Sequence, residues 1–163
     1  RELAAFGAMR DDPEVARCQA RESCSEADGR QVLAEMAGRN PGEPGWFQFA
    51  LEEKASGILV GDCGLRILES DHRLAQIGYT INQACWNRGF ASEAVGALTA
   101  YAFAVFPIHR VTASVDPRNV ASCRVLEKNR FVKEGHFRKS EWFKGEWADD
   151  VIYAVLRGDQ PAS

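Results

Sequence analysis

The sequence predicts a single α+β domain built on a mixed α/β sheet. Three observations carry that reading. The chain has 163 residues, 45% hydrophobic and 26% charged, which suits one soluble core of ordinary size. From residue 46 to residue 81 the apolar pattern is strand-like, in three runs separated by polar turns. Beyond Ile81 the period lengthens to that of a helix, and strands and helices then alternate to the end. No internal repeat, low-complexity tract or long linker divides the chain, so residues 1–163 read as one domain.

The elements follow in order. Leu3, Phe6 and Met9 mark the end of a helix that Asp11-Asp12-Pro13 breaks. Ser25 can cap a second helix, with Asp28 three residues on and Val32, Leu33 and Met36 as its apolar stripe. Residues 38–45 are a loop rich in Gly and Pro. Residues 46–51, 58–67 and 76–81 form the three strands of an antiparallel meander. Ala91, Ala94, Val95, Leu98, Tyr101, Ala102 and Val105 recur at helical spacing, and Pro107 stops that helix. Residues 109–115 are again a strand. Asp116-Pro117-Arg118-Asn119 turns into a helix that runs to about Lys128, with Ala121, Val125 and Leu126 on one face. Two more strands run from Phe131 onward and from Asp150 to Leu156.

Composition excludes several classes of function. Twenty basic residues against 23 acidic ones give a net charge of -3, so no field exists to grip a nucleic acid backbone. No apolar run approaches the roughly 20 residues that span a bilayer, so no membrane partner is expected. Arg1-Glu2-Leu3 does not open a signal peptide, and without a starting Met the chain reads as beginning inside a longer product. Cys18, Cys24, Cys63, Cys85 and Cys123 are odd in number and form no C-x-x-C pair. They read as reduced thiols of a cytoplasmic protein rather than as a disulfide frame or a zinc cluster. His72, His109 and His136 are scattered, and no metal site is expected.

Two stretches are candidates for chemistry. The first runs through Ile81, Trp86, Asn87, Arg88, Gly89, Phe90, Ala91 and Ser92, ending a strand and opening the long helix. A helix start carries free N–H groups and the positive end of the dipole. A Gly there lets a phosphate approach the backbone, and Arg88 could add a charged contact. Taken alone, the stretch reads first as a plain helix start capped by Ser92 or Asn87. The second runs from Val115 to Lys128. Asn119 can cap its helix, and Ser122 sits one turn in, as a solvated residue or facing a cleft.

In this order and spacing the two stretches resemble the GNAT acetyltransferases, and within them the branch of the RimJ and RimL ribosomal-protein N-terminal acetyltransferases. The likeness extends to Asp12-Pro13-Glu14-Val15, Ile77-Gly78-Tyr79, His109-Arg110-Val111 and the tail Gly145-Glu146-Trp147-Ala148-Asp149-Asp150-Val151-Ile152-Tyr153. The resemblance implies the GNAT fold, a mostly antiparallel sheet flanked by helices and splayed between its fourth and fifth strands. Acetyl-CoA is the implied cosubstrate, with an amine acceptor and no metal, and a homodimer is left open. Backbone groups of Tyr79, Thr80 and Ile81 would pair with the pantetheine. The loop from Trp86 and Asn87 through Arg88, Gly89, Phe90, Ala91 and Ser92 would hold the pyrophosphate. Asn119 and Ser122 would face the pantetheine arm and thiol.

The implied reaction is direct attack of a neutral amine on the thioester. Resemblance gives Ser122 the role of acid to the leaving thiolate and Glu141 that of base, against a reading of Glu141 as a plain surface carboxylate. The acceptor would be a protein or peptide N-terminus, or alternatively a small amine. A non-catalytic acyl-CoA-binding domain is the third reading. Two departures stand out. The family's first strand is missing, falling before Arg1 or absent. Asn129-Arg130-Phe131 replaces the usual Gly before Phe. A left-handed Arg130 costs roughly 1 kcal/mol or more, unless Asn129 takes that conformation.

Overall fold

The computed structural model describes residues 40–159. The two early helices read from the sequence, and Cys18 and Cys24, lie outside the described residues. The meander is present as β1 (Gly45–Glu53), β2 (Ile58–Ile67) and β3 (Leu74–Ile81), paired antiparallel in sequence order. A bulge between Leu51 and Glu52 shifts the β1–β2 register. Then come α1 (Phe90–Val105), β4 (Arg110–Val115), α2 (Val120–Lys128), β5 (Val132–Phe143) and β6 (Glu146–Leu156). The six strands lie in the order β1-β2-β3-β4-β6-β5. Among them β3 and β4 make the one parallel contact, which suits the α1 crossover between them.

α1 packs on β2 and β3, α2 on β4 and β5, and the two helices touch each other. They therefore share one face of the sheet. Leu65, Val95, Ile108, Val111, Leu126, Val151 and Val155 are fully buried between that face and the helices. Strand alternation puts Val111, Ala113 and Val115 on the helix side and Thr112 and Ser114 on the other. α1 stops where Pro107 requires it, with Phe106 extended at φ -116° and ψ 158°. Arg157 closes that end, donating to the carbonyls of Phe103 (2.5 Å), Phe106 (2.8 Å) and Ile108 (2.8 Å), which answers the carbonyls a helix end leaves open.

The end of α2 corrects one expectation. Arg130 itself takes the left-handed conformation, at φ 66°, and Asn129 keeps φ -91°. Asn129 is committed elsewhere. Its Nδ2 donates to Val125 O (2.9 Å), Ser92 O (3.1 Å) and Ser92 Oγ (3.2 Å), lacing the end of α2 to the start of α1.

Candidate active site

The sheet opens between β3 and β4. They pair only at Leu74–Arg110, Ala75–Val111 and Gln76–Thr112. Beyond that point β3 stays paired with β2 as far as Ile81–Gly61, and β4 with β6 as far as Val115–Val151. The facing edges, Ile77 to Ile81 and Ala113 to Val115, are left without each other. Counting the expected earlier strand, this is the gap between the fourth and fifth strands. An extended ligand can meet such strand edges through backbone groups on their gap side.

The first candidate stretch lies at the open end of β3. Asn82 to Trp86 make a short turn, in which Asn82 accepts from Ala84 N and Trp86 Nε1 donates to Ile81 O at 2.7 Å. That bond fixes the loop on the strand and engages the Ile81 carbonyl. Asn87 follows at φ 60° and Gly89 at φ 88°. Gly89 is the N-cap of α1, yet no side chain caps it. The expected cap from Ser92 or Asn87 is therefore not made, because Ser92 Oγ serves Asn129 instead. The first α1 amide bonded back is Glu93 N, to Gly89 O at 3.0 Å. The amides of Phe90, Ala91 and Ser92 precede it and form the orphan donor set of the helix. A Cβ on Gly89 would meet nothing within 4 Å, so the approach is open. Beneath the loop, Val60, Ile81 and Cys85 form a small apolar cluster with Leu51, Phe90 and Ala91 against it.

Arg88 is engaged beside this helix start: its guanidinium pairs with Glu53 at the end of β1 and lies 4.8 Å from the Phe90 ring centroid. The pairing is exposed, so it adds little stability.

The second stretch faces the gap from β4. Asn119 Oδ1 accepts from Ser122 N at 3.1 Å, and Asn119 O from Cys123 N at 3.1 Å, so Asn119 is a helix cap. Ser122 is no solvated serine. Its Oγ lies 2.6 Å from Tyr79 Oη, which is also 3.2 Å from Ser122 O. The contact crosses the gap from β3 to α2. Burial pushes the Tyr79 hydroxyl up to about 12, partly offset by the Ser122 bond, so Tyr79 keeps its proton at neutral pH. In the sequence Tyr79 counted only for its backbone. Its hydroxyl was missed because nothing local signals a partner 43 residues away.

Glu141 sits apart from this pair. It is exposed on β5, opposite Ala148, in a ribbon that runs past the end of β4. Its carboxylate makes no hydrogen bond or ion pair among the described residues. A register shift between Phe137 and Glu141 lifts Arg138, Lys139 and Ser140 out of the ladder. A cavity of about 230 Å³ lies alongside, lined by Asp116, Arg118, Lys139, Trp147 and Asp149 among others. Its charges satisfy one another. Arg118 holds Asp116 at 2.6 Å and Glu146 at 2.5 Å, while Asp149 meets His136 at 2.7 Å and Lys139 N at 3.0 Å. No group of residues that could hold a metal occurs among the described residues, and Cys63, Cys85 and Cys123 are free thiols.

The sequence of residues 1–132 matches a family model described as an acetyltransferase (GNAT) domain. The chain belongs to the GNAT acetyltransferase family. An uncharacterised N-acetyltransferase, p20, of Bacillus licheniformis is 34% identical over 110 residues, 68% of this chain and 62% of its own length. With YjcK of Bacillus subtilis at 63%, the chain spans less than two thirds of the length of these curated relatives. A GNAT-family acetyltransferase of Bacillus anthracis superposes with a TM-score of 0.83 at 30% identity, over 95% of this chain and 89% of its own.

Two further N-acetyltransferases differ in the acceptor they are named for. The [ribosomal protein uS5]-alanine N-acetyltransferase of Escherichia coli is 27% identical over 114 residues, 69% of this chain and 59% of its own. The spermidine N-acetyltransferase of Vibrio cholerae, solved with CoA and spermine, shares the fold with a TM-score of 0.84 at 18% identity, over 97% of this chain and 91% of its own.

Proposed function

We propose that residues 1–163 form one acetyl-CoA-dependent N-acetyltransferase domain of a cytoplasmic enzyme, which transfers an acetyl group to a primary amine by direct attack. The observation that carries this reading is the pairing of the β3–β4 gap with the uncapped start of α1. The pyrophosphate of acetyl-CoA would sit on the amides of Phe90, Ala91 and Ser92, and its extended arm would meet the open edge of β3 at Tyr79. The thioester end would then lie near Tyr79 and Ser122.

Tyr79 and Ser122 suit the departing thiolate. With Tyr79 donating to Ser122 Oγ, the serine's own proton is free to turn toward the sulfur, and the pair acts as a relay. A free N–H near Ile81 would polarise the thioester carbonyl. The acceptor must lose a proton before it attacks. Glu141, or a water beside it, takes that part in this reading.

A protein or peptide N-terminus is the favoured acceptor, because the relative named for a ribosomal-protein alanine is similar in sequence, whereas the spermidine enzyme is similar in fold. The test is release of free thiol from acetyl-CoA with alanine-initiated peptides, polyamines and amino acids in parallel. Turnover with the peptides alone supports the reading. Turnover with polyamines alone moves the acceptor to small amines. No turnover with any amine, alongside tight CoA binding, overturns the enzyme in favour of a binding domain.

A further inference from the structure

Asp150 is a buried carboxylate that the charge network leaves out. It lies on β6, one residue beyond the Val115–Val151 pair that ends the β4–β6 ladder. Its exposure is 9%, beside 4% for Asp62, which is likewise buried. Its acidic neighbours all have cationic or polar partners. Asp116 and Glu146 share Arg118, and Asp149 holds His136 and Lys139 N. Asp150 has a hydroxyl: Ser114 Oγ donates to its Oδ1 at 2.5 Å. No cation meets it among the described residues, and its Oδ2 is not one of the buried atoms left without a partner there, so that oxygen stays within reach of solvent.

Position gives this carboxylate a use. Val151, Tyr153 and Val155 belong to the core on the helix side, so Asp150 and Ile152 face the other way, with Ser114 on β4. Ser114 is exposed, and it belongs to the strand edge that borders the gap. Asp150 therefore lies one strand spacing, about 4.8 Å, from the open edge, on the face opposite α1 and α2. The proposed pyrophosphate cradle and the Tyr79–Ser122 pair both belong to the helix face. A second substrate entering from the opposite face would reach the gap without displacing the first.

A carboxylate nine-tenths withdrawn from water and clamped on one oxygen, with no counter-charge among the described residues, still has an oxygen to offer. A cationic ligand supplies the missing counter-charge. An aliphatic ammonium, mostly charged near neutral pH, offers three donors to a fixed acceptor. We infer that Asp150, oriented by Ser114, binds the ammonium group of the acceptor amine on the face of the sheet opposite α1 and α2. This rests on the acetyltransferase reading for the identity of the ligand as an acceptor. The Asp150 site distinguishes amines by charge and reach, whereas proton removal belongs to another group.

Calorimetric titration of the CoA-loaded chain with spermine, and with an alanine-initiated peptide, tests it directly. The wild-type protein should bind at least one probe. Asp150→Asn keeps the shape and the Ser114 contact, and should weaken that binding at least tenfold with CoA affinity changed less than twofold. Ser114→Ala, which leaves the carboxylate in place without its clamp, should weaken it about threefold and guards against a folding defect in the first variant. Glu69→Gln, an exposed loop change, should do neither. Wild-type affinity in folded Asp150→Asn, or no binding of either probe by the wild type, overturns the inference. Failure of the enzyme reading looks different: a probe binds in an Asp150-dependent way, yet no thiol is released from acetyl-CoA.

Discussion

α1 and α2 start on the same face of the sheet, on either side of one gap, and their first turns are built in opposite ways. α2 is closed by its own sequence, through Asn119 and its two bonds to Ser122 N and Cys123 N. α1 is left open. Gly89 offers no side chain, and Ser92, which could have turned back, is held by Asn129. Leaving a helix without a cap forgoes about 1 kcal/mol. The same donors that stabilise a helix when capped can hold an anion when left bare, and the proposed function places the pyrophosphate at the uncapped start.

Substitutions can break that contrast, beginning with the largest effect. Gly89→Val puts a β-branched residue at φ 88°, a conformation it strongly resists, and points methyl groups into the open approach. CoA affinity should fall at least tenfold by calorimetry, while circular dichroism still reports a folded protein. Unchanged affinity in that folded variant removes the anion site from α1. Across the gap, Tyr79→Phe deletes the hydroxyl that orients Ser122. Turnover should drop about tenfold with little change in CoA affinity, a modest loss because a thiol with a pKa near 8.5 leaves readily.

Alkaline pH sharpens the same side of the comparison. Burial raises Tyr79 from 10.0 to about 12 and Cys63 from 9.0 to about 12. Both stay neutral in the fold where the unfolded chain would ionise. Their contribution is complete below about pH 9 and is lost as pH rises toward 12. Urea unfolding should therefore show stability falling above pH 9, and Tyr79→Phe should reduce the part that sets in above pH 10, which burial of Tyr153 shares. A flat profile in the wild type would contradict it.

Asn119→Ala makes the two starts alike and should cost about 1 kcal/mol of stability, with CoA affinity within about threefold of wild type. A binding loss as large as that of Gly89→Val would mean that Asn119 touches the ligand. The smallest effect is a gain. Arg130→Gly relieves a left-handed residue at the far end of α2 and should add about 0.5–1 kcal/mol, measured by the same unfolding curves with turnover unaltered.

What the sequence showed of this molecule was its local part. The meander, the α1 stripe ending at Pro107, and Asn119 as a cap all rest on neighbours a few residues apart, and each is present. The gap itself entered only through resemblance, because strand pairing is a long-range property. The site's other contacts are long-range too. Tyr79 meets Ser122 across 43 residues, Arg88 meets Glu53 across 35, and Ser114 meets Asp150 across 36. The Arg88 partner on β1 has no local signature in the sequence. Arg130 read as strained unless Asn129 relieved it, and Asn129 had been spent on tying Ser92 in place.

A crystal structure of the chain with CoA puts the central claim to its most direct test. The account predicts the pyrophosphate oxygens within about 3.2 Å of the amide nitrogens of Phe90, Ala91 and Ser92, with the Asn119 cap of α2 undisturbed. Pyrophosphate seated at the start of α2, or held by side chains away from the α1 amides, would contradict it.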